Sequence, residues 1–217
     1  MSYQIGDKIP SFTLQDTEGN QVTIEVGTNN HTVLLFFPLA FSSVCTDELC
    51  SVRDNMKLYE SFDAKVYGIS IDSFFSLKAF KQSQNLNFTL LSDFNKEQST
   101  NFGVLNNDFF GMIGVAKRSA FVLDGDMKIV HSEILEDAGN LPDFDKIKDK
   151  IMDEAKKSFK PEFLNRLTEI VIFRPLIKES MRAIVDLELK KVTDRLKDKK
   201  LKLHISDDVK EFLIEKG

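Results

Sequence analysis

Two cysteines are the residues of this 217-residue chain best suited to nucleophilic chemistry. They lie close together, at Cys45 and Cys50, and the chain contains no other cysteine. The apolar run Val33–Phe37 predicts a strand, and the residues from Cys45 to about Glu60 predict a helix. A cysteine in the first turn of a helix faces unpaired backbone N–H groups and the positive end of the helix dipole. Such positions can lower a cysteine pKa from about 8.5 to about 3.5–7.5 and favour the nucleophilic thiolate, so Cys45 is a candidate nucleophile.

The elements that must position these cysteines predict an α/β fold. Short apolar runs alternate with helical patterns. The predicted strands are Ser11–Leu14, Gln21–Glu25, Val33–Phe37, Lys65–Ser70, Phe88–Leu91, Ala120–Leu123 and Met127–Ser132. The predicted helices are Cys45–Glu60, Ser76–Gln82, Lys96–Phe102 and Asp143–Lys157. Strands that alternate with helices and end in a hairpin indicate a mixed sheet with helices on both faces, and we expect a thioredoxin-like α/β fold.

Composition narrows the classes of protein that this chain can belong to. Hydrophobic residues make up 42% and charged residues 29%, which is typical of a globular protein. The first residues lack the basic and apolar regions of a signal peptide, and no apolar run approaches the roughly 20 residues of a membrane helix. Two cysteines favour a reducing cytoplasm over a secreted disulfide scaffold. The net charge of −5 disfavours nucleic acid as the main partner.

Charge and glycine content change along the chain. Residues 1–142 carry 10 basic and 18 acidic side chains, whereas residues 143–217 carry 19 basic and 16 acidic side chains. Nine of the ten glycines precede Pro142. This change from turn-rich, acidic sequence to lysine-rich, helical sequence predicts a domain boundary. We expect one domain over residues 1–150 and a second over residues 151–217.

The segment from Phe36 to Cys50 resembles the active-site segment of the peroxiredoxin family. That family's pattern is a proline, three residues, a threonine or serine, two residues and a cysteine. The matching residues here are Pro38, Ser42 and Cys45, with serine where threonine is commoner. Glu48, Cys50 and Arg53 also match, as in the family's atypical two-cysteine branch, the bacterioferritin-comigratory-protein type.

Three further blocks carry the same resemblance, which covers about residues 3–150. They are Tyr67–Phe80, Phe88–Phe94 and Gly114–Asp124. The last block contains Arg118, at the family's second essential position. The resemblance implies a thioredoxin-like peroxiredoxin fold and a thiol peroxidase that reduces hydrogen peroxide and organic hydroperoxides.

The resemblance also implies a role for each matching residue. Cys45 would attack the peroxide and become a sulfenic acid, which requires a deprotonated sulfur and donors for the leaving oxygen. Ser42 and the first-turn backbone N–H groups would bind the peroxide oxygens. Arg118 would stabilise the thiolate and the leaving oxygen with a charge that it cannot lose. Pro38 would exclude water, and Glu48 would orient an arginine; no metal, haem or flavin is needed.

Cys50 is the resolving thiol that the resemblance implies. Five residues along a helix correspond to about 7.5 Å of rise and about 140° of rotation, whereas a disulfide needs Cα atoms within about 7 Å and converging side chains. The pair therefore cannot close while the helix is intact, and we expect its first turns to unwind after Cys45 is oxidised. By the same resemblance, thioredoxin or a similar dithiol protein would recycle the enzyme, and a homodimer is a further prediction.

Other interpretations of the cysteines remain open. Each thiol could be a small buried apolar residue. A zinc site is disfavoured because two cysteines without a nearby histidine supply too few ligands, and His31, His131 and His204 are scattered along the chain. A thiol–disulfide oxidoreductase acting on proteins is the alternative enzyme, although such sites usually have two residues between the cysteines and here there are four.

Residues from about 147 to 217 resemble a different family, the Clp-type AAA+ unfoldases. Phe159–Leu176 is similar to the end of their second ATPase module, and Arg166 matches the arginine that in the family reaches a neighbouring subunit's ATP. The chain has no G-x-x-x-x-G-K-[ST] loop, so we expect no nucleotide binding. We expect a mainly helical α+β appendage, and a module that docks on Clp rings is the alternative. Its predicted elements are the strand Glu169–Phe173, a helix over Ile177–Lys197, the strand Leu201–Ile205 and a last helix from Ser206 to Glu215.

Overall fold

A computed structural model gives the structure of this chain and describes residues 2–27 and 31–158. Further along it describes residues 182, 185–191, 193, 205, 206, 209, 210 and 212. The chain divides into two compact units, residues 1–167 and 168–217. A continuous helix, Phe144–Ser158, extends through the boundary that the sequence predicts at residue 150. The assignment of residues 151–217 as a separate domain stays a prediction.

The first unit is built around a seven-stranded mixed sheet with the strand order β2-β1-β5-β4-β3-β6-β7. The strands are β1 (Phe12–Asp16), β2 (Gln21–Ile24), β3 (His31–Phe36), β4 (Ala64–Ser70), β5 (Thr89–Ser92), β6 (Ser119–Asp124) and β7 (Ile129–Ile134). Strands β3, β4 and β5 are parallel, whereas the pairings of β1 and β6 are antiparallel. The mixed sheet and both hairpins that the sequence predicts are therefore confirmed.

Strand β3 lies near the middle of the sheet and carries the chain toward the cysteines. It pairs in parallel with β4 and antiparallel with β6, and all six of its residues are buried. Because both faces are covered, every side chain of this strand can be apolar without exposure to water. This explains the uninterrupted apolar sequence from Val33 to Phe37, although the strand begins two residues earlier, at His31.

The helices of the first unit are α1 (Ser43–Asp54), α2 (Met56–Ser61), α3 (Phe74–Ser83), α4 (Glu97–Asn101) and α5 (Phe144–Ser158). One face of the sheet packs against apolar residues of α1, α2, α3 and α5. The other face packs against Phe102 and Val104, which follow α4. Among the described residues, no helix has the length and apolar character needed to span a bilayer.

The prediction of one continuous helix over Cys45–Glu60 is wrong. Helix α1 ends at Asp54 and α2 begins at Met56, with Asn55 between them at φ −104° and ψ 8°. The Asn55 side chain donates to the Ser51 carbonyl oxygen at 2.8 Å. Asparagine side chains compete in this way with the helical pattern of backbone hydrogen bonds, and the break lets Met56 and Tyr59 turn into the core.

The second unit is described only in part. The described residues 182, 185–191, 193, 209, 210 and 212 are helical, and Lys210 forms an ion pair with Asp186 at 2.6 Å. These residues fall within the two helices predicted for this region. The predicted strands Glu169–Phe173 and Leu201–Ile205 lie outside the described residues, apart from residue 205, which is not in a strand.

Candidate active site

The start of α1 places Cys45 in the first helical turn. Ser42 is the N-cap residue, with the extended backbone that this position requires, and the helix begins at Ser43. Cys45 is thus the third helical residue, not the first as the sequence predicted, but it remains among the unpaired N–H groups of the first turn. Its side chain is completely buried in the apolar core beneath α1.

Arg118 lies beside Cys45 although the two residues are 73 positions apart in the sequence. The antiparallel register of β3 and β6 pairs Phe36 with Ser119, so the residue before Ser119 lies next to the segment that leads into α1. From there Arg118 Nη2 donates to Cys45 Sγ at 3.4 Å. The sheet register therefore brings a permanent positive charge to the buried sulfur.

Arg118 is held from two other directions. Its Nη1 donates to Glu48 Oε2, and the two side chains are 1% and 0% exposed. Its Nε and Nη2 also donate to the carbonyl oxygen of Ala138, at 3.3 and 3.1 Å. The planar guanidinium thus binds a sulfur, a carboxylate and a backbone carbonyl at once, an arrangement for which the fork of arginine is suited and the single ammonium group of lysine is not.

The Glu48–Arg118 pair is buried, and burial changes the proton affinity of its members. Loss of hydration raises the pKa of Glu48 from 4.5 to about 7, because the attraction of Arg118 offsets only part of that effect. Burial by itself would lower the pKa of Arg118, but the nearby Glu48 and Cys45 raise it overall. Glu48 Oε1 is buried and has no hydrogen-bond partner among the described residues. Only the other oxygen of this carboxyl group accepts a hydrogen bond, from Arg118.

We expect the stability of this protein to fall between about pH 4.5 and pH 7 because of Glu48. The folded state binds the Glu48 proton more tightly than the unfolded chain does, so this contribution is complete below about pH 4.5 and is lost as the pH rises through about 7. The change in the free energy of unfolding should be about 3 kcal/mol. Denaturant unfolding of the wild type and of Glu48→Gln, followed by circular dichroism with the cysteines kept reduced by a phosphine, would measure it. Parallel pH profiles for the two proteins would contradict the expectation.

Ser42 and Pro38 lie on the segment between β3 and α1. The Ser42 hydroxyl donates to the Leu39 carbonyl oxygen at 3.2 Å and does not cap the helix. It is half-buried and lines the same cleft as Arg118. Pro38 is buried behind this segment, and its carbonyl oxygen accepts a hydrogen bond from the Ser70 hydroxyl at 3.5 Å, next to the end of β4.

Asp72 holds this segment in place, and sequence reasoning did not single it out. Its Oδ2 accepts hydrogen bonds from the Ala40 backbone N–H and the Ser70 hydroxyl, both at 2.8 Å. The sequence could have indicated Asp72, because an aspartate two residues beyond the buried strand β4 lies at the edge of the sheet where β3 also ends. The sequence could not have indicated Ala138, because its contact with Arg118 is made by its backbone carbonyl oxygen.

Cys50 lies apart from the Cys45 cluster, further along the unbroken helix α1. Both thiols are free, and Cys50 is half-buried. Cys50 Sγ lies 3.8 Å from Gln84 Oε1, and Arg53 Nη1 donates to the Gln84 carbonyl oxygen at 2.6 Å. The end of α3 therefore contacts the part of α1 that carries Cys50, and these contacts keep the second thiol away from the first.

A cleft of about 500 Å³ leads from the surface to Arg118. The start of α1 lines one side with Ser42 and Val44, and residues 135–139 line another. Cys45 itself has no exposed surface, but Arg118, which donates to its sulfur, lines the cleft. The site thus combines a buried sulfur, a fixed guanidinium and an entrance wide enough for a small molecule.

Comparisons with known proteins show the family to which most of this chain belongs. Residues 5–132 match the AhpC/TSA family. The chain is 38% identical over 128 residues to a putative peroxiredoxin of Mycobacterium tuberculosis, covering 58% of this chain and 81% of that protein. It is 36% identical over 129 residues to the peroxiredoxin Bcp of Escherichia coli, covering 58% and 82%.

Solved structures share the fold. The peroxidoxin BcpB of Mycobacterium tuberculosis superposes with a TM-score of 0.61 at 27% identity, covering 72% of this chain and 99% of that one. The AhpC of the same organism superposes with a TM-score of 0.63 at 24% identity, covering 75% and 99%. The predicted thioredoxin-like peroxiredoxin fold is therefore confirmed.

The end of the chain matches a different family, as its sequence predicts. Residues 176–217 match the C-terminal, D2-small domain of ClpB protein. A segment of 75 residues is 51% identical to a probable ATP-dependent Clp protease ATP-binding subunit of Chlamydia pneumoniae, covering 35% of this chain but only 9% of that protein. The larger part of the chain decides its class: it belongs to the AhpC/TSA family, and it is a peroxiredoxin, a thiol peroxidase.

Proposed function

We propose that Cys45 is the peroxidatic cysteine and reduces hydrogen peroxide and organic hydroperoxides that enter by the cleft. The Cys45 thiolate attacks one peroxide oxygen, an S–O bond forms, and the O–O bond breaks. The sulfur becomes a sulfenic acid, and the departing oxygen leaves as water or an alcohol once it has gained a proton. The observation that carries this proposal is the contact of 3.4 Å between Arg118 Nη2 and Cys45 Sγ in a buried site.

The neighbouring residues divide the remaining work. Arg118 stabilises negative charge on the sulfur before attack and on the leaving oxygen during it, which is most effective where water is excluded. Glu48 is a positioning residue, because it holds Arg118 without touching the sulfur in any described contact. Ser42 binds peroxide oxygens at the cleft, and Pro38, buried behind it, shields the sulfenic acid from further oxidation.

Cys50 is proposed to resolve the sulfenic acid. Its thiol displaces the sulfenic oxygen as water and forms a disulfide with Cys45, so that the two thiols together supply the electrons for one peroxide. Since α1 is continuous between the two residues, its first turns must unwind before the sulfurs meet. Unwinding must break the contacts of Arg118 with Cys45 and Glu48. It must also break or carry along those of Cys50 and Arg53 with Gln84.

One equivalent of hydrogen peroxide should give different products in the wild type and in Cys50→Ser. We expect an intramolecular Cys45–Cys50 disulfide in the wild type, with a mass loss of two hydrogens, and a sulfenic acid on Cys45 in the variant. Dimedone trapping followed by peptide mass spectrometry identifies both. A wild type that yields only an intermolecular crosslink would contradict the assignment of Cys50.

The rate of Cys45 oxidation by peroxide, compared with the rate of insulin reduction, separates the proposal from the rival thiol–disulfide oxidoreductase. A peroxidase should oxidise Cys45 rapidly and stoichiometrically while reducing insulin disulfides poorly. The opposite ratio would favour the rival.

Thioredoxin or a similar dithiol protein is the proposed reductant, since the disulfide product requires a dithiol to regenerate it. A cytoplasmic location is proposed because free thiols persist in a reducing compartment. The homodimer stays a prediction, and a C-terminal unit that docks on Clp rings stays the alternative.

A further inference from the structure

The entrance to the active site is asymmetric in its chemistry. At its inner end lies Arg118, whose charge faces Glu48 and Cys45 rather than the opening. Nearer the surface the lining combines the aromatic residues Phe109 and Phe110 with several charged side chains. A substrate that reacts at the sulfur and is longer than hydrogen peroxide must leave its remaining atoms among these outer residues.

The aromatic part of the entrance is held on a constrained turn. The backbone of Phe109 and Met112 exchanges two hydrogen bonds, at 2.9 and 3.0 Å, so that Phe110 and Gly111 form a two-residue turn. Both have positive φ, 53° and 82°, a conformation that costs free energy for phenylalanine. Phe110 is 91% exposed, and its ring packs edge-on against Phe109 with centroids 4.9 Å apart. The turn therefore holds an apolar ring at the opening although both its conformation and its exposure are unfavourable.

The charged part of the entrance is predominantly negative. Three exposed carboxylates line it, those of Asp108, Glu136 and Asp137. Lys117 is the single ammonium group in the lining, and Glu136 binds it at 2.7 and 2.8 Å. Asp108 and Asp137 each accept a hydrogen bond from a backbone N–H at 2.8 Å, which keeps their charge near the opening. The outer entrance thus has an excess of two negative charges beside an apolar wall.

We propose that this entrance discriminates, among organic hydroperoxides of similar size, against those that carry a carboxylate. Phe109 and Phe110 contact the organic group of charged and uncharged substrates alike. Asp108 and Asp137 repel an anion that enters the cleft, whereas the charge of Glu136 is balanced by Lys117. Hydrogen peroxide is too small to experience either effect once it reaches the sulfur. The inference rests on the proposed peroxidase activity and adds a specificity that this activity does not require.

A matched pair of substrates tests the charge selection. Cumene hydroperoxide and its para-carboxylate derivative differ only by a carboxylate on the side of the ring remote from the peroxide. We expect kcat/KM, measured with dithiothreitol as reductant, to be about tenfold higher for the uncharged compound at low ionic strength, falling to about twofold in 0.5 M salt. The variant Asp108→Asn/Asp137→Asn should lose most of this preference, because asparagine keeps the oxygen that accepts the backbone hydrogen bond but removes the charge.

A control variant and two further measurements decide the outcome. Asp126→Asn/Glu60→Gln makes the same change in net charge at exposed positions outside the cleft lining, and it should retain the preference. Equal rates for both substrates in the wild type would overturn the inference while hydrogen peroxide reduction leaves the proposed function intact. Failure to reduce hydrogen peroxide would overturn the proposed function itself. A preference that changes with protein concentration would assign the carboxylates to a contact between two copies of the chain and would also overturn the inference.

Discussion

Cys45→Ser should lower the rate of peroxide reduction by at least about a thousandfold, to the background rate of the dithiol alone. Serine nearly preserves the size of the buried side chain but replaces a polarisable thiolate with a hydroxyl group that stays protonated. Arg118, at 3.4 Å from the sulfur, cannot compensate, because its charge stabilises an anion that serine does not form under these conditions. The rate of hydrogen peroxide consumption, followed with a peroxide-specific dye in samples quenched at set times, would measure the loss.

Cys50→Ser is the matched control for this experiment. It removes the other thiol and stops the cycle after one event, but Cys45 should still consume one equivalent of peroxide at close to the wild-type rate. If Cys45→Ser retained a substantial rate that Cys50→Ser lost, Cys50 would be the nucleophile and the roles of the two thiols would be reversed. Both variants should keep the wild-type circular dichroism spectrum.

Arg118→Lys should lower kcat/KM for hydrogen peroxide by about 10²- to 10³-fold, the usual effect of removing a donor that stabilises developing charge. Lysine keeps the positive charge, but one ammonium group cannot reach Cys45, Glu48 and the Ala138 carbonyl oxygen together. Breaking a buried ion pair also costs about 3–5 kcal/mol of stability when one partner is removed outright, so Arg118→Met should be markedly less stable.

A double variant separates these two effects of Arg118. Arg118→Met/Glu48→Leu removes both buried charges, and its free energy of unfolding should recover much of what Arg118→Met loses. Its kcat/KM should nevertheless stay at or below the value of Arg118→Lys, because no group then faces the sulfur with positive charge. Recovery of activity together with stability would show that Arg118 serves the fold and not the reaction.

Local sequence patterns were sufficient for the elements that carry the site. The run Val33–Phe37 is entirely apolar, as a strand buried on both faces requires. The D-G-D turn at residues 124–126 indicates the hairpin that joins β6 and β7. The helix at Cys45 was also predictable, but its break at Asn55 was not, because a side-chain hydrogen bond to Ser51 and burial of Met56 and Tyr59 decide it. Helix propensity alone does not show whether this hydrogen bond and this burial outweigh the continuation of the helix.

The candidate site shows the same division. The family resemblance indicated Cys45, Glu48 and Arg118, whereas the contacts of Asp72 and of the Ala138 carbonyl oxygen are seen only in the folded chain. The resemblance also left the distance between Cys45 and Arg118 unspecified. That distance depends on the register of β3 against β6, and a shift of one residue would turn Arg118 to the opposite face of the sheet.

The sequence by itself determined which chemical groups this protein has and in which elements they lie: a thiol in a first helical turn, a second thiol five residues on, and an arginine before a strand. Only the tertiary structure decided that the arginine meets the first thiol, that Glu48 is buried enough for its pKa to reach about 7, and that the entrance is apolar and negative. The physical reason is that composition and periodicity act over a few residues. Burial and electrostatic attraction depend on groups that are close in space, and the sheet register determines which groups those are.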